Sequence, residues 1–305
     1  MGFRNCIENE HRIFMEGALG ERLKREYHLC ADHQVAWAKL VYQADGRSAL
    51  RNLWQEYVDI ARRYQLPFLA TTPTRRANKE RVERSGCNSS IIPDNVDFLR
   101  RIQQESNMEM YIGGLMGCRG DAYTGEDALS ESEAHTFHKW QADLFRKAEV
   151  DFLYAGIMPT LPEATGMAQA MSETGLPYII SFTIQKSGRL IDGTTISDAI
   201  LSIDHSVDAK PICYMTNCVH PSIVYEALSQ PFNQNPTVKN RFLGIQANTS
   251  PLSYAELDHS SDLKCSEPIP FAEDMLKLRD ISNIKIFGGC CGTDNRHMEQ
   301  IALRL

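Results

Sequence analysis

The residues best suited to chemistry are three cysteines. The stretch Phe287-Gly288-Gly289-Cys290-Cys291-Gly292-Thr293 sets two thiols side by side in a glycine frame, and Cys218 follows the apolar run from Pro211 to Asn217. Successive side chains of a regular strand point to opposite faces. Two adjacent cysteines can therefore share a target only where glycines let the backbone leave extended geometry. Zinc suits thiolate ligands in tetrahedral geometry, and a site with three protein ligands keeps its fourth position open for a substrate. The doublet alone is equally compatible with buried free thiols or a local disulfide. The glycine frame and Cys218 favour a metal site.

The elements that must position these thiols read as eight alternations of strand and helix. Strands are expected at Arg12 to Glu16, Pro67 to Thr72, Met110 to Met116, Asp151 to Ile157, Tyr178 to Ile184, Pro211 to Thr216, Phe242 to Ala247 and Ile284 to Phe287. They are short and nearly all apolar, as strands covered on both faces should be. A helix from Leu50 to Tyr64 turns Leu53, Trp54, Tyr57, Val58 and Ala61 to the core, and a capping box at Ser130 and Glu133 opens another with Phe137, Gln141, Leu144, Phe145 and Ala148 on one stripe. Eight such units in series imply parallel pairing through right-handed crossovers and closure into a (β/α)8 TIM barrel of one domain spanning residues 1–305. Each strand runs into polar or glycine-rich sequence at its C-terminal end, where barrels of this kind keep their active sites. Cys218 and the doublet then reach the same rim. An open doubly wound sheet is the runner-up, but neither GxGxxG nor a P-loop is present.

The totals agree with one cytoplasmic enzyme. Of 305 residues, 43% are hydrophobic and 23% charged, enough for a sizeable core. No apolar run reaches the roughly 18 residues a membrane helix needs, and the N-terminus shows neither a signal-peptide nor a myristoylation pattern. Nine scattered cysteines suit a reducing compartment better than a disulfide framework. The net charge of −7 argues against nucleic-acid or anionic-membrane binding. A homo-oligomer through an apolar face of the outer helices stays open.

Other features have plainer readings. Arg75, Arg76, Lys79, Arg81 and Arg84 could bind an anion, but a solvated helix face is the preferred reading. His135 and His138 are expected on the surface, and His297 either beside the doublet or in a packing or surface role. The connection from Gly20 to Ser48, with Trp37 and Tyr42, is long enough to cover the barrel mouth as a lid. Neither Lys186 nor Lys285 stands at a strand end where a Schiff base would form, which disfavours a metal-free aldolase or isomerase.

Beyond these readings, the motifs resemble the zinc-dependent homocysteine S-methyltransferases, a family that includes the betaine- and S-methylmethionine-dependent enzymes and the homocysteine domain of cobalamin-dependent methionine synthase. The resemblance spans nearly the whole chain. Met15 to Gly20 stands at the family's Asp-Gly-Gly or Asp-Gly-Ala opening, and Thr72-Pro73-Thr74-Arg75-Arg76-Ala77 resembles its Thr-Asn-Thr-Phe stretch. Pro159 and Glu163 keep the register of Glu-Thr-Ile-Pro. Ser181-Phe182-Thr183, Asn217-Cys218 and Gln246-Ala247-Asn248 match further segments, and Gly288 to Thr293 resembles the most specific motif.

What the resemblance implies is a barrel in which Cys218, Cys290 and Cys291 hold Zn2+ and an acceptor thiol takes the open position. Coordination deprotonates a thiol. The bound sulfur, enriched in charge by three thiolates, then attacks a methyl group on an onium or methyl-corrinoid donor, and the protein supplies alignment. By the same resemblance Asn217 and Glu16 are the catalytic polar groups, and Glu16, Gly17, Thr72, Thr74, Gly156 and Asn248 contact the acceptor. The chain departs from the family pattern in carrying Gly156 where a glutamate stands, Glu16 for the opening aspartate, and Pro73-Thr74-Arg75 for Asn-Thr-Phe. Metal chemistry is thus retained and acceptor contacts are altered, with Glu16 or Glu21 able to replace the lost charge. Homocysteine leads as acceptor. Another thiol, or a non-catalytic zinc-binding barrel serving as sensor or scaffold, is the alternative. No Asp-x-His-x-x-Gly is present, so a corrinoid would arrive on another protein. Trp37, Tyr42, Tyr123 and Tyr154 are candidate aromatic faces for a small onium donor.

Overall fold

A computed structural model of the chain describes residues 2–251 and 266–305. Eight parallel strands close into a barrel in sequence order: β1 (Ile13–Met15), β2 (Phe68–Thr71), β3 (Met110–Gly117), β4 (Phe152–Met158), β5 (Tyr178–Phe182), β6 (Cys213–Val219), β7 (Phe242–Ala247) and β8 (Ile286–Gly289). The closing pair matches Ile13 with Ile286 and Phe14 with Phe287. The expected (β/α)8 barrel is the one observed, each strand expectation coinciding with a strand, with boundaries shifted by at most three residues.

Alternation along the strands sorts side chains into two apolar shells. Ile13, Met15, Leu69, Tyr111, Phe152, Tyr154, Ile179, Cys213, Met215 and Ile286 fill the interior of the barrel as one cluster, while Phe14, Phe68, Ala70, Ile112 and Leu153 from the same strands pack outward against the helices. The first helix, α1 (Phe3–Asn9), is an element the sequence reading does not anticipate. It joins the interior cluster through Phe3, Cys6 and Ile7, with the Phe3 ring stacked 4.3 Å from Phe152 and edge-on to Tyr111. At about 1.5–3 kcal/mol for each fully buried large apolar side chain, this plug stabilises the end of the barrel remote from the strand C-termini.

The outer shell follows helical periodicity. The helix after the long connection is α3 (Ala44–Arg63), which begins six residues earlier than expected and buries Leu50, Leu53, Trp54, Tyr57, Val58 and Ala61. Helix α2 (Gly20–Glu26) and a 3-10 turn (Ala38–Tyr42) lie within that connection. A short α4 (Lys79–Arg84) and α5 (Ile91–Ser106) follow β2, and α6 (Glu131–Lys147) opens at the Ser130 and Glu133 capping box as expected. His138 corrects an expectation. It is buried, not superficial, because Glu163 on α7 (Leu161–Ser172) supplies a partner 3.1 Å from its Nε2 where the two helices pack. The same carboxylate accepts from the backbone amides of Arg119 at 2.7 Å and Leu129 at 3.4 Å, which pins both ends of the loop between β3 and α6.

Candidate metal centre

The three cysteine sulfurs meet at the C-terminal mouth of the barrel. Their Sγ atoms all lie within 4.8 Å of one another, with Cys218 to Cys291 at 3.4 Å and Cys290 to Cys291 at 4.0 Å. Two sulfurs on a tetrahedral ion with bonds of about 2.3 Å stand roughly 3.8 Å apart, so this trio has the span such an ion needs. It is the one cluster of three or more potential metal ligands among the described residues. The donor set, three thiols and no carboxylate or imidazole, suits a soft or borderline ion such as zinc.

Local backbone geometry explains how each sulfur arrives. Cys218 does not close β6 as the sequence suggests but sits inside it, at a bulge where the pairing with β7 slips between Asn217 and Val219. There its φ is +62°, the left-handed region, and the irregularity lets neighbouring Asn217 and Cys218 both serve the mouth. A matching bulge in β4 places Ile157 at φ +59°. This is strained for a β-branched residue and persists only where its surroundings over-determine it. Asn217 is the staple between the two bulges. Its Oδ1 accepts from the Ile157 amide at 2.9 Å and the Ser181 hydroxyl at 2.7 Å, and its Nδ2 lies 3.4 Å from Gln246 Oε1.

The doublet lies just past β8, free of strand alternation. Cys290 N–H donates to the Ala247 carbonyl at 2.7 Å, Thr293 Oγ1 donates to the Cys290 carbonyl at 2.7 Å, and the turn completes at Gly292 with φ +81°, which glycine adopts without a steric penalty. The Gly292 amide donates to the Glu21 carboxylate. Cys218 is buried, Cys290 half-buried and Cys291 exposed. Thiol hydrogen bonds from Cys290 and Cys291 hold the Cys218 thiol well below the usual range, while those same pairings push Cys290 and Cys291 up. Two further donors approach Cys218 Sγ: Tyr123 Oη at 3.4 Å and Asn248 Nδ2 at 3.9 Å.

Beside the sulfurs lies a cavity of about 310 Å³. Of the residues expected at the site, Glu16, Gly17, Thr72, Asn217, Cys290 and Cys291 line it. Asn248 instead reaches Cys218, and Thr74 is withdrawn, its hydroxyl donating to the Leu115 carbonyl at 2.9 Å. Gly156 brings no side chain; a Cβ there would stand 2.8 Å from Leu115 Cδ1 and 3.5 Å from Asn217 Nδ2. Glu16 is buried, and both its oxygens are taken by Trp54 Nε1 at 2.9 Å and by the amide and hydroxyl of Thr71. Burial pushes its carboxyl up to about 7 against these bonds.

The arginine reading needs correction. Arg75 and Arg76 precede α4 and line the cavity, whereas the solvated helix face begins only at Lys79. The candidate aromatics separate as well. Trp37 joins the cavity wall, Tyr123 approaches Cys218, Tyr154 is buried with its hydroxyl on Gln246 at 2.8 Å, and Tyr42 is exposed and bonded to Asp94. From the long connection it is Gly20, Glu21, Ala36 and Trp37 that reach the cavity. His297 is buried, bonded through Nδ1 to Asp294 and through Nε2 to the Ser266 carbonyl, so it caps the last helix (Asn295–Arg304). The sequence signal that could have exposed Asn217's stapling role is its carboxamide within a strand whose other residues, Thr216 apart, are apolar.

The homocysteine S-methyltransferase sequence model matches residues 13–305 of this chain. Among solved structures, the chain is similar to the homocysteine methyltransferase MmuM from Escherichia coli. The oxidised form superposes with a TM-score of 0.77 at 17% identity over 99% of each chain. The metallated form gives 0.76 at 16% identity over 99% of each chain, and the apo form 0.69 at 16% identity over the same shares. At that identity the likeness shows the fold.

Proposed function

Because the chain belongs to the homocysteine S-methyltransferase family and is a methyltransferase, we propose that it moves a methyl group from an onium or methyl-corrinoid donor to a small thiol, with homocysteine the leading acceptor and Cys218, Cys290 and Cys291 the ligands of a zinc ion. The observation that carries this reading is the convergence of those three sulfurs, 73 residues apart from Cys218 to Cys291, at one point of the barrel mouth. When bound there, zinc supplies the charge that keeps an acceptor thiol ionised at neutral pH.

The remaining work falls to the chain. Tyr123 and Asn248 donate toward Cys218 and spread its negative charge, and Glu21 fixes the Gly292 turn that aims Cys290 and Cys291. Asn217 holds the two bulges in register, which makes it a positioning residue for Cys218. The Trp37 ring offers an aromatic face to a cationic methyl donor in a cavity that also holds Glu21. Thr72 accepts from the Leu115 amide at 3.1 Å and shares a 2.7 Å hydrogen bond with Thr74, keeping the β2 and β3 tips fixed while donor and nucleophile align.

The test is methyl transfer by zinc-loaded protein from S-methylmethionine, betaine and a methyl-corrinoid protein to homocysteine and a panel of other thiols, with thioether product measured. Methionine formation supports the reading. Turnover with another thiol and none with homocysteine removes the homocysteine assignment, and stoichiometric zinc without thioether from any pair removes the thiol methyltransferase reading.

A further inference from the structure

The charges around the cavity are unbalanced in a way that bears on the acceptor. Both carboxylates that line it are engaged: Glu16 by Trp54 and Thr71, Glu21 by the Gly292 amide with Arg25 at 3.7 Å. Its two guanidinium groups are not. Among the described residues neither Arg75 nor Arg76 has a side-chain hydrogen bond or a carboxylate within ion-pair distance. Arg75 is half-buried, with its stem laid on β3, where a Cβ at Gly117 would stand 2.5 Å from Arg75 Cγ. The nearby acids have other partners. Asp121, which feels the charge of Arg75, accepts from the Tyr123 and Thr124 amides, and Glu80 faces Arg119 at 3.9 Å. Arg81 is pushed down first by burial and then by Arg76, Arg84 and Arg75, as an excess of positive charge requires.

Where Gly156 stands, no side chain is available to receive a cation. Gly156 leaves a gap that the Leu115 isobutyl group takes up, so an ammonium placed there would be desolvated against hydrocarbon with no carboxylate to receive it. A carboxylate or sulfonate directed at Arg75 would instead gain a bidentate, charge-assisted pair.

We infer that the acceptor is selected by an anionic group that pairs with Arg75, and that an α-amino group contributes little: the natural substrate class is a short-chain thiol carrying a carboxylate or sulfonate. This rests on the thiol methyltransferase reading above. Arg76, exposed at the same rim, attracts the anion on approach but is not its seat.

The experiment compares homocysteine with 4-mercaptobutanoate, which lacks the amino group, and 3-mercaptopropylamine, which lacks the carboxylate. It uses the zinc-loaded wild type, Arg75→Ala and Arg75→Lys, and reads both kcat/KM and calorimetric affinity for each thiol. In the wild type the desamino thiol should match homocysteine within about threefold, and the aminothiol should be weaker by roughly 10- to 100-fold, the worth of a charge-assisted hydrogen bond. Arg75→Ala should erase that difference by raising KM and Kd for the two carboxylates while leaving the aminothiol and the donor KM unchanged, and Arg75→Lys should restore part of it. A desamino thiol more than about 30-fold poorer than homocysteine, an unchanged ratio in Arg75→Ala, or an effect confined to the donor KM overturns the inference. If no thiol is methylated but 4-mercaptobutanoate still binds in an Arg75-dependent way, the catalytic reading fails and the anion site stands.

Discussion

Replacing Asn217 by alanine tests whether one side chain holds the metal-binding bulge in place. The variant removes two short buried hydrogen bonds, from the Ile157 amide at 2.9 Å and the Ser181 hydroxyl at 2.7 Å, and one longer contact to Gln246. Each ordinary bond contributes about 1 kcal/mol net, and a buried amide left without an acceptor costs about 1–3 kcal/mol more. The Ile157 amide cannot easily find a new partner, because it sits at φ +59° inside the barrel wall. The expected loss is therefore about 3–5 kcal/mol, toward the large end for single substitutions. Equilibrium urea unfolding of the zinc-free protein, followed by circular dichroism and tryptophan fluorescence, should show a midpoint lowered by on the order of 1 M at the slopes usual for globular proteins. Zinc affinity, measured by competition with a chelator, should fall in parallel, since Cys218 rides on the same bulge. A loss under about 1 kcal/mol with unchanged zinc affinity would refute the stapling argument.

The remaining predictions concern buried titratable groups. Glu16 is held at about 7 by burial against an ordinary 4.5, so between those pH values the folded protein keeps a proton that the unfolded chain has lost. Stability should fall as pH rises from 4.5 to 7 and then level off, the whole effect being about 3 kcal/mol. Glu16→Gln can keep all three hydrogen bonds, because Oε1 serves Trp54 and the Thr71 amide while its NH2 donates to the Thr71 hydroxyl; it should flatten this profile and be the more stable protein at pH 8, as measured by urea unfolding. Glu163→Gln replaces an acceptor of three donors by a group with only one acceptor atom, and should destabilise by about 1–3 kcal/mol. Amide exchange at Arg119 and Leu129 should then quicken relative to the strands. Burial holds His138 below its ordinary 6.5. The wild type should accordingly lose stability as pH falls below 6.5, where the unfolded chain takes up a proton that the folded one resists, and His138→Gln should reduce that slope in acid titrations followed by circular dichroism.

The barrel and the thiol trio were legible because each rests on local rules: apolar runs at regular spacing, polar strand ends, and a cysteine doublet framed by glycine. What escaped depends on contacts distant in sequence. The bulges at Ile157 and Cys218 carry no local mark, since nothing near a β-branched isoleucine announces positive φ; the Asn217 side chain from another strand imposes it. His138 reads as one more polar residue on an amphipathic helix until Glu163 meets it from the next helix. Arg75 and Arg76 read as part of a charged helix because the helix start at Lys79 falls only three residues after Arg76, while both residues line the cavity at the mouth. Helix α1 is too short to show a period, and its stability comes from packing Phe3 into the barrel end.

X-ray absorption at the zinc edge of protein purified with stoichiometric metal tests the central claim most directly. Without substrate the spectrum should show three sulfur ligands at about 2.3 Å and one lighter atom, and addition of the thiol acceptor should convert this to four sulfurs at that distance. Cys218→Ser should lose one sulfur from both shells. A first shell dominated by nitrogen or oxygen, or one unchanged by the thiol, would contradict a metal held by Cys218, Cys290 and Cys291 with its fourth position open to substrate.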